Sequence, residues 1–429
     1  VVLGANDCRQ VGHCVTVCNH GRFLLVKPRR HKENCRSPTE LPAMHFDLVI
    51  VGGGLAGLSL ACALRDTPLK IALLEQRPPQ RPSGWDARVY AISPANAEFL
   101  RGIGVWKHLD TTRIAPISAM EVYGDGGARL DFSAYETGVP ELGFILESSL
   151  MACELWENAK RQSNLTLLCP AAPNRVEMRE DAALLGLADG NTLTARLLVA
   201  ADGRDSWVRR ACGLDAFDTH YNEKGVVANF ECEKPHRGIA FQWFRDDGVL
   251  AWLPLPDKRI SIVWSAPDEL ADELVALPAE AFSRRVAEAG EQMLGKLNLI
   301  TPPAAFPLRL MRVPKVVSPR LALVGDAAHG IHPLSGHGIN LGYQDARVLA
   351  EVLAECQPWH DIGEMRILER YQRARKEEVV LMQTATDTLR RLFKSDLPGV
   401  LLLRNFGMNL TNRLPLLKTS LARYALGTL

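Results

Sequence analysis

The sequence predicts an α/β protein in which a mostly parallel sheet is interrupted by an antiparallel sheet and followed by a helical tail. Three observations predict this. A buried, β-branched run at 48–51 leads into a glycine-rich turn and an Ala/Leu-rich helix. Short alternating strands punctuated by prolines fill 218–317. The apolar run 321–324 then enters a second glycine-rich turn and another helix. Because the last pattern returns to the first, the antiparallel part is predicted to be inserted into the parallel one.

The first glycine loop has the G-x-G-x-x-G spacing, with Gly52, Gly54 and Gly57 at its three positions. Gly52 allows a tight turn out of the strand, Gly54 lets the backbone approach a pyrophosphate, and Gly57 lets the helix pack close to the sheet. The free N–H groups of the helix N-terminus, at Leu55 and Ala56, favour the phosphates.

A second buried run at 71–74 follows this helix and ends on Glu75 and Gln76. A carboxylate at this position accepts hydrogen bonds from an adenosine ribose. The order of strand, tight turn, helix, strand and acid therefore predicts a Rossmann-type dinucleotide site. It does not distinguish FAD from NAD.

Composition limits the functional classes. The chain has 429 residues, 47% of them hydrophobic and 23% charged, which is enough for two or three domains. A formal net charge of +1 gives no electrostatic case for binding nucleic acid. No apolar run approaches the roughly 18–20 residues of a transmembrane helix. The ten cysteines are interpreted as reduced thiols, because no secretion signal is recognised.

Two further strand ends carry acidic and glycine residues. Asp202 and Gly203 follow the buried run 197–201, and Gly325 and Asp326 follow the run 321–324. The carboxyl ends of parallel strands form the mouth of a doubly wound sheet, where ligands bind. In a dinucleotide-binding protein, Arg88 is a candidate for contacting the phosphates.

Histidines 329, 332 and 337 lie in the second glycine-rich segment. We do not expect a metal there, since no carboxylate beyond Asp326 is near and a glycine-rich loop suits close approach of backbone to a ligand. A loop-structuring role is favoured for each histidine over a catalytic one. The sequence assigns no catalytic residue.

These landmarks together resemble the class A flavin-dependent aromatic hydroxylases, the family of para-hydroxybenzoate hydroxylase. The closer similarity is to the ubiquinone-biosynthesis hydroxylases. It is carried by DARVYAIS at 86–93, by GDAAHGIHPLSGHGINLGYQD at 325–345 and by LLLRNFGMNLTNRLPLLK at 401–418. The family loop usually reads Gly-Gln-Gly where this chain has glycine, histidine and glycine at 336–338, so a role for the glutamine side chain is in doubt.

The resemblance implies FAD as cofactor and NAD(P)H as a transient co-substrate. The first glycine loop, Glu75, Gln76 and Arg88 would hold the ADP half, and Asp326 the ribityl chain. Asp202 and Gly203 would serve both FAD and NAD(P)H. The isoalloxazine ring would be lined by Pro333, Gly336, Gly338, Ile339 and Asn340.

The residue patterns along the chain, together with the resemblance, predict a domain organisation. The FAD-binding domain is predicted to be discontinuous, at 44–116, 145–217 and 318–352. The substrate domain is predicted at 117–144 and 218–317, with a helix over about 278–297 and with Trp243, Trp252 and Trp264 in its packing. Residues 353–429 are predicted to be a helical tail. The leader at 1–43 is interpreted as a disordered arm or a gene-model extension.

The implied function is NAD(P)H- and O₂-dependent hydroxylation of a polyprenylated phenol or benzoquinol in ubiquinone biosynthesis. Two alternatives stay open: a hydroxylase of a soluble aromatic compound, and a low-turnover flavoprotein subunit of a ubiquinone-synthesis complex. The expected location is cytoplasmic. The basic, apolar tail suggests peripheral contact with the inner membrane. The ring carbon, the nicotinamide preference and the oligomeric state are not determined by any motif.

Overall fold

A computed structural model describes residues 44–332, 336, 338–394, 398–414 and 418. The predicted leader lies outside these residues. The strands are β1 (Met44–Val51), β2 (Ile71–Leu74), β3 (Val89–Ile92), β4 (Ala115–Ile117), β5 (Ala119–Tyr123), β6 (Arg129–Ser133), β7 (Gly143–Glu147), β8 (Leu165–Leu168), β9 (Pro173–Met178), β10 (Ala183–Leu187), β11 (Thr192–Ala200), β12 (Phe217–Cys232), β13 (Ile239–Arg245), β14 (Gly248–Leu255), β15 (Arg259–Pro267), β16 (Leu297–Leu299), β17 (Ala304–Arg312), β18 (Val317–Ser318), β19 (Leu321–Leu323) and β20 (His329–Gly330).

The helices follow the same chain order. They are α1 (Leu55–Ala63), α2 (Pro94–Gly102), α3 (Ala134–Thr137), α4 (Ser148–Lys160), α5 (Trp207–Ala211), α6 (Asp268–Ala276), α7 (Ala279–Ala289), α8 (Gly338–Ala354), α9 (Met365–Phe393) and α10 (Pro398–Arg413).

The first sheet is mainly parallel, with the order β18-β19-β11-β1-β2-β8. Strand β1 pairs in parallel with β11 and β2, and β11 pairs in parallel with β19. Its central strands are apolar and buried on both faces, as expected where helices cover a parallel sheet. Helices α1, α4 and α8 pack on one face through a large apolar core. The predicted α/β class with a Rossmann-type unit is confirmed.

The second sheet is largely antiparallel, with the order β20-β17-β12-β15-β14-β13-β5-β6. Its outer face packs against α6 and α7, and Trp243, Trp252 and Trp264 are buried in that core. The predicted packing role of these aromatics is confirmed. The helix expected over 278–297 was drawn too long, because α7 ends at Ala289, and a glycine follows it.

A small sheet of β3, β7 and β4 was not predicted. It lies between the two larger sheets in an apolar cluster that includes Ala91 and Leu253. Its strands are short, and the pairing of short strands depends on tertiary partners rather than on local pattern. The hairpin of β9 and β10 extends the first sheet through the pairing of β10 with β11.

The tail is helical over 365–393 and 398–413, whereas residues 355–364 form turns between α8 and α9. The long α9 is amphipathic and packs against α8, and its Asp387 and Arg390 bond to Tyr221 and Glu223 of β12. Helix α10 packs on β6. No helix among the described residues is long and apolar enough to span a bilayer. The proposed division into domains stays a prediction.

Candidate functional site: the carboxyl edge of the parallel sheet

The four sequence landmarks meet at one edge of the first sheet. Strands β19, β11, β1 and β2 are neighbours in that order and run parallel. Their carboxyl ends therefore place Asp326, Asp202, the first glycine loop and Glu75 side by side. Residues far apart in the chain form a single mouth, as the doubly wound arrangement requires.

The glycine loop has the backbone that its spacing predicts. Gly52 has a φ of +110°, and a methyl group there would lie 2.3 Å from the Ala201 carbonyl oxygen. A methyl group on Gly57 would lie 2.1 Å from the Gly52 oxygen. Gly54 differs, since a methyl group there meets nothing within 4 Å. The helix α1 begins at this point without a side-chain cap, so its first N–H groups remain available to an anion.

Glu75 organises the backbone around it. Its Oε2 accepts a hydrogen bond from the Gly53 N–H at 2.7 Å, and its Oε1 accepts from the N–H groups of Gln76 and Arg77. An ionised carboxylate has about four acceptor sites, so these bonds leave room for a ribose hydroxyl. The structure thus holds Glu75 against the glycine loop.

The two carboxylate oxygens of Asp202 differ: one caps a helix, and the other has no hydrogen-bond partner among the described residues. Its Oδ2 accepts from the N–H groups of Trp207 and Val208 and so caps α5, together with Ser206, whose Oγ accepts from the Arg209 N–H. The Asp202 Oδ1 is buried and has no hydrogen-bond partner among the described residues. Such an oxygen is costly unless a ligand or water satisfies it.

Gly325 and Asp326 lie beside α1. Gly325 has a φ of +60°, and a methyl group there would lie 3.0 Å from the Ala56 side chain. The Asp326 side chain is about half exposed, and its Oδ2 lies 4.0 Å from an Arg204 nitrogen. Its carboxylate therefore faces a space that a ligand can enter.

Sequence reasoning missed the support behind Gly325. Asp345 is fully buried, and it accepts hydrogen bonds from the Gly325 N–H, from His329 Nε2 at 2.6 Å and from Arg375 Nε at 2.7 Å. Burial raises the pKa of Asp345, but His329 and Arg375 outweigh it and the pKa is lowered. The loop-structuring role expected of His329 is what the structure shows.

Arg209 was also missed. It is buried, and its guanidinium donates to the backbone oxygens of Ala327 and Arg204. It thereby ties the loop after β11 to the turn after β19. The only signal for it was an arginine shortly after an Asp-Gly pair, which is too common to interpret alone.

A second group of residues joins β3 to the start of α8. The Asn340 Oδ1 accepts from the Ser93 N–H and from the Asn96 amide, both at 2.9 Å. Its amide nitrogen donates to the carbonyls of Ala91 and Gly336. The Asn340 side chain is therefore occupied in fixing this junction, and its backbone oxygen also accepts from the Asn96 amide at 3.2 Å.

The loop itself is shaped by two glycines. Gly336 has a φ of +63°, and a methyl group there would lie 3.4 Å from the Ala91 side chain, whereas a methyl group on Gly338 would meet no described residue within 4 Å. Helix α8 begins at Gly338, followed by the partly buried Ile339. Of the predicted ring-lining residues, Pro333 lies outside the described part of the chain.

Arg88 is exposed at the start of β3, and its N–H donates to Asp86. Burial raises the pKa of the neighbouring Tyr90, which also lies within electrostatic range of Arg88 and Asp326. Both charged groups therefore act on the same buried Tyr90 hydroxyl.

His332 is buried, with its Nε2 3.5 Å from Glu223 of β12. Among the described residues, no group of three or more His, Cys, Asp or Glu side chains is arranged to hold a metal.

This arrangement fits a flavin dinucleotide. Gly54 has no described residue within 4 Å of an added methyl group, α1 begins without a side-chain cap, and the buried Asp202 Oδ1 has no hydrogen-bond partner among the described residues. These features favour a phosphate at the start of α1.

Comparison with known proteins gives the same answer. A family described as FAD binding domain matches residues 45–385. The chain is 36% identical over 386 residues to ubiquinone hydroxylase UbiL of Rhodospirillum rubrum, covering 89% of this chain and 90% of the relative. It is 32% identical over 388 residues to 3-demethoxyubiquinol 3-hydroxylase of Escherichia coli, covering 89% and 98%.

The fold is also that of p-nitrophenol 4-monooxygenase PnpA from Pseudomonas putida DLL-E4, with a TM-score of 0.72 and 18% identity over 89% of this chain and 98% of the other. The cofactor of this protein is FAD. The chain belongs to the FAD-binding domain family and is a flavin-dependent monooxygenase.

Proposed function

We propose that this protein uses NAD(P)H and O₂ to hydroxylate the aromatic ring of a prenylated phenol or benzoquinol in ubiquinone biosynthesis. The observation that carries the proposal is the meeting of four strand ends at one edge, built to hold a flavin dinucleotide. The ubiquinone-related relatives support the choice of substrate. FAD supplies the redox and oxygen-activating chemistry, which protein side chains do not provide.

The ADP half is assigned to the first glycine loop. The pyrophosphate lies over Gly54 at the start of α1, where Leu55 and Ala56 supply N–H groups. Glu75 accepts from the ribose, and Gln76 continues the strand end beside it. Arg88, exposed and free to extend, contacts the phosphates.

The flavin half is assigned to the other two strand ends. The exposed Asp326 carboxylate binds the ribityl hydroxyls. The ring lies against the segment that contains Pro333, Gly336, Gly338, Ile339 and Asn340. The spare oxygen of Asp202, with Gly203 beside it at a φ of +84°, serves FAD and the transient NAD(P)H.

We also propose peripheral contact with a membrane through α10. One face of this helix packs on the hairpin of β5 and β6, where Asn412 accepts from the Asp131 N–H and Met408 is buried. The other face presents Phe406 and Leu410, and Leu414 follows directly after the helix; all three are substantially exposed. The spacing of four residues puts Phe406 and Leu410 on one stripe. Such a stripe suits the interface of a bilayer from which a lipid substrate is taken.

The function is tested with the purified, FAD-loaded protein. We expect NAD(P)H oxidation to be stimulated by a farnesylated phenol, and mass spectrometry to find a product with one oxygen atom derived from isotopically labelled O₂. Stimulation by small phenols but not by prenylated ones would support the soluble-aromatic alternative. Tight FAD without turnover on any phenol would contradict the proposal and favour a structural flavoprotein.

The membrane contact is tested by flotation with vesicles that contain phosphatidylglycerol. The double substitution Phe406→Ser and Leu410→Ser should reduce the floated fraction several-fold and leave turnover of a short, soluble prenylphenol unchanged. Trp359→Ser is the control, because Trp359 is 78% exposed but lies in the turn between α8 and α9. Equal loss in both variants would argue against a role for α10.

A further inference from the structure

The two faces of the antiparallel sheet differ in what covers them. The outer face packs fully against α6 and α7. On the inner face, one row crosses four neighbouring strands through the pairs Val227 with Val263, Val263 with Ala251, and Ala251 with Gln242. All four side chains are only partly buried, although they lie on central strands. An open strip therefore runs across the middle of the inner face.

On one side, the strip borders the small sheet that contains β3. The neighbouring row contains Ala240 and Leu253, which belong to the apolar cluster with Ala91 of β3. Ala91 in turn adjoins Gly336, in the segment assigned to the flavin ring. The strip thus lies two residues along each strand, or one row on the same face, from the part of the sheet that adjoins Ala91. Residues 325–340, to which Gly336 belongs, are called the flavin loop below.

The tail closes the other side. Phe244 and Val249 lie beyond the strip and pack in a cluster with Phe393 of α9 and Met408 of α10. The rings of Phe244 and Phe393 are stacked, with centroids 3.7 Å apart. An aromatic ring on the strip would be enclosed by the flavin loop, the sheet and the tail, which suits a reaction that must exclude water.

The strip carries a single polar side chain. Three of its members are apolar. The two flanking rows carry no charged residue; one contains Ala240, Leu253, Ser261 and Asn229, and the other Phe244, Val249, Ser265 and Gly225. The fourth member is Gln242. Its backbone pairs with Ala251, but its side-chain amide makes no hydrogen bond to any described residue. A bound apolar ring would cover this amide, which is costly unless the ring itself offers a partner.

We propose that Gln242 hydrogen-bonds an oxygen substituent on the substrate ring and so determines specificity. An amide both donates and accepts, so it matches a phenol hydroxyl in either direction. A ring carboxylate would find no countercharge on the strip and would be disfavoured. This assignment rests on the proposed function, because it presupposes a prenylated ring as substrate.

The first test compares two probes on the FAD-loaded enzyme: a farnesylated phenol and farnesylbenzene, which lacks only the hydroxyl. Binding is followed by the change in flavin absorbance. The wild type should favour the phenol by about tenfold or more, since a site built to hydrogen-bond a hydroxyl rejects the analogue without it. Gln242→Leu should bring this ratio close to one. Gln242→Met, of similar length, is used in parallel in case leucine lowers the FAD content.

Val263→Ala is the matched control on the same strip. It removes apolar contact, so it should weaken both probes alike and leave their ratio unchanged. A ratio that survives in both Gln242 variants would overturn the role of Gln242.

The second test uses Gln242→Arg, which places a positive charge on the strip. It should improve binding of a farnesylated hydroxybenzoate relative to the farnesylated phenol by about tenfold or more, because the carboxylate gains a partner. An unchanged preference would overturn the assignment. If the wild type hydroxylates the farnesylated phenol, an unchanged preference in Gln242→Arg would contradict only the role of Gln242 and not the proposed function. If the wild type neither binds nor hydroxylates any prenylphenol, the proposed function fails as well.

Discussion

The carboxyl edge of the parallel sheet and the inner face of the antiparallel sheet use the chain in different ways. At the edge, the features that fit FAD are largely backbone: glycine φ angles, the uncapped start of α1 and turns that a methyl group would block. On the inner face, the features proposed to bind the substrate are side chains in mid-strand, with Gln242 among apolar neighbours. The proposed cofactor site therefore depends on how closely the backbone approaches the ligand, and the proposed substrate site on which side chains the strands present.

This difference predicts different sensitivities to substitution. Changes at the edge should damage folding or FAD binding before they alter selectivity. Changes on the inner face should alter selectivity in a protein that still holds FAD. Some residues support the edge from behind, and others link the edge to the inner face. Substitutions of these residues should have intermediate effects on stability and FAD binding.

The largest effect is expected at Gly57. The methyl group of Gly57→Ala would lie 2.1 Å from a backbone oxygen that cannot move independently. We expect a loss of at least about 3 kcal/mol in the free energy of unfolding, measured by denaturation of the protein after FAD removal. Gly54→Ala is the matched variant, because its methyl group meets only open space. It should keep the apoprotein's stability and weaken FAD binding about tenfold or more. Equal loss of stability in Gly57→Ala and Gly54→Ala would contradict the view that Gly57 serves the fold and Gly54 serves contact with the cofactor.

The next largest effect is expected behind Gly325. Asp345→Asn leaves the buried Arg375 guanidinium without its carboxylate and weakens the bond from His329. Breaking a buried ion pair typically costs about 3–5 kcal/mol. Thermal unfolding should show this loss together with a lower FAD content.

Glu378→Gln tests whether the cost comes from burial. Glu378 pairs with the same arginine but is one-third exposed. The substitution should cost below about 1 kcal/mol. A small effect from both variants would show that the edge does not depend on the Asp345 brace.

A moderate effect is expected at Asn340, which links β3 to α8. Asn340→Ala removes bonds to Ser93, Asn96, Ala91 and Gly336, and it should cost about 2–3 kcal/mol. Because Gly336 is released, FAD should also bind more weakly. In contrast, Asn158→Ala removes one bond to the Ile103 carbonyl, far from the mouth. It should lower stability by about 1 kcal/mol and leave FAD affinity unchanged, as fluorescence titration of the flavin would show.

The same comparison explains which residues of the two regions could be predicted from the sequence. Gly52, Gly54, Gly57 and Glu75 were recognised because backbone function leaves a spacing that can be read along the chain. The inserted sheet was recognised from alternation and prolines. The position of Gln242 on the inner face was not recognised. A single glutamine in a strand is uninformative until the strand register and the covered face of the sheet are known.

Asp345, Arg375 and Arg209 were missed for a related reason. Each acts on a loop that is distant in sequence, and an aspartate or arginine on a helix reads as a solvated surface residue. Small strands such as β3, β4 and β7 were missed because their neighbours, not their own residues, decide whether they pair.

The smallest effect concerns the end of the inner face, where Glu223 meets Arg390 and Lys394 of the α9 region and His332 of the flavin loop. Burial raises the pKa of Glu223, but its hydrogen bonds to His332, Arg390 and Lys394 have the larger effect. The net pKa is lowered to about 2. Since the folded-state pKa lies below the ordinary value of 4.5, this group stabilises the fold above pH 4.5. That contribution is lost as the pH falls from 4.5 towards 2.

Glu223→Gln should remove this part of the acid sensitivity, so the unfolding temperature of the variant should fall less steeply than that of the wild type between those pH values. At neutral pH the variant should be the less stable protein, because the cations lose their carboxylate. Glu231→Gln is the control, since Glu231 is exposed on the same strand and lies 3.6 Å from Arg259. If the unfolding temperatures of wild type and Glu223→Gln fall in parallel as the pH is lowered, the Glu223 charge does not maintain the contact between β12, α9 and the flavin loop. Apolar packing alone would then close that end of the strip.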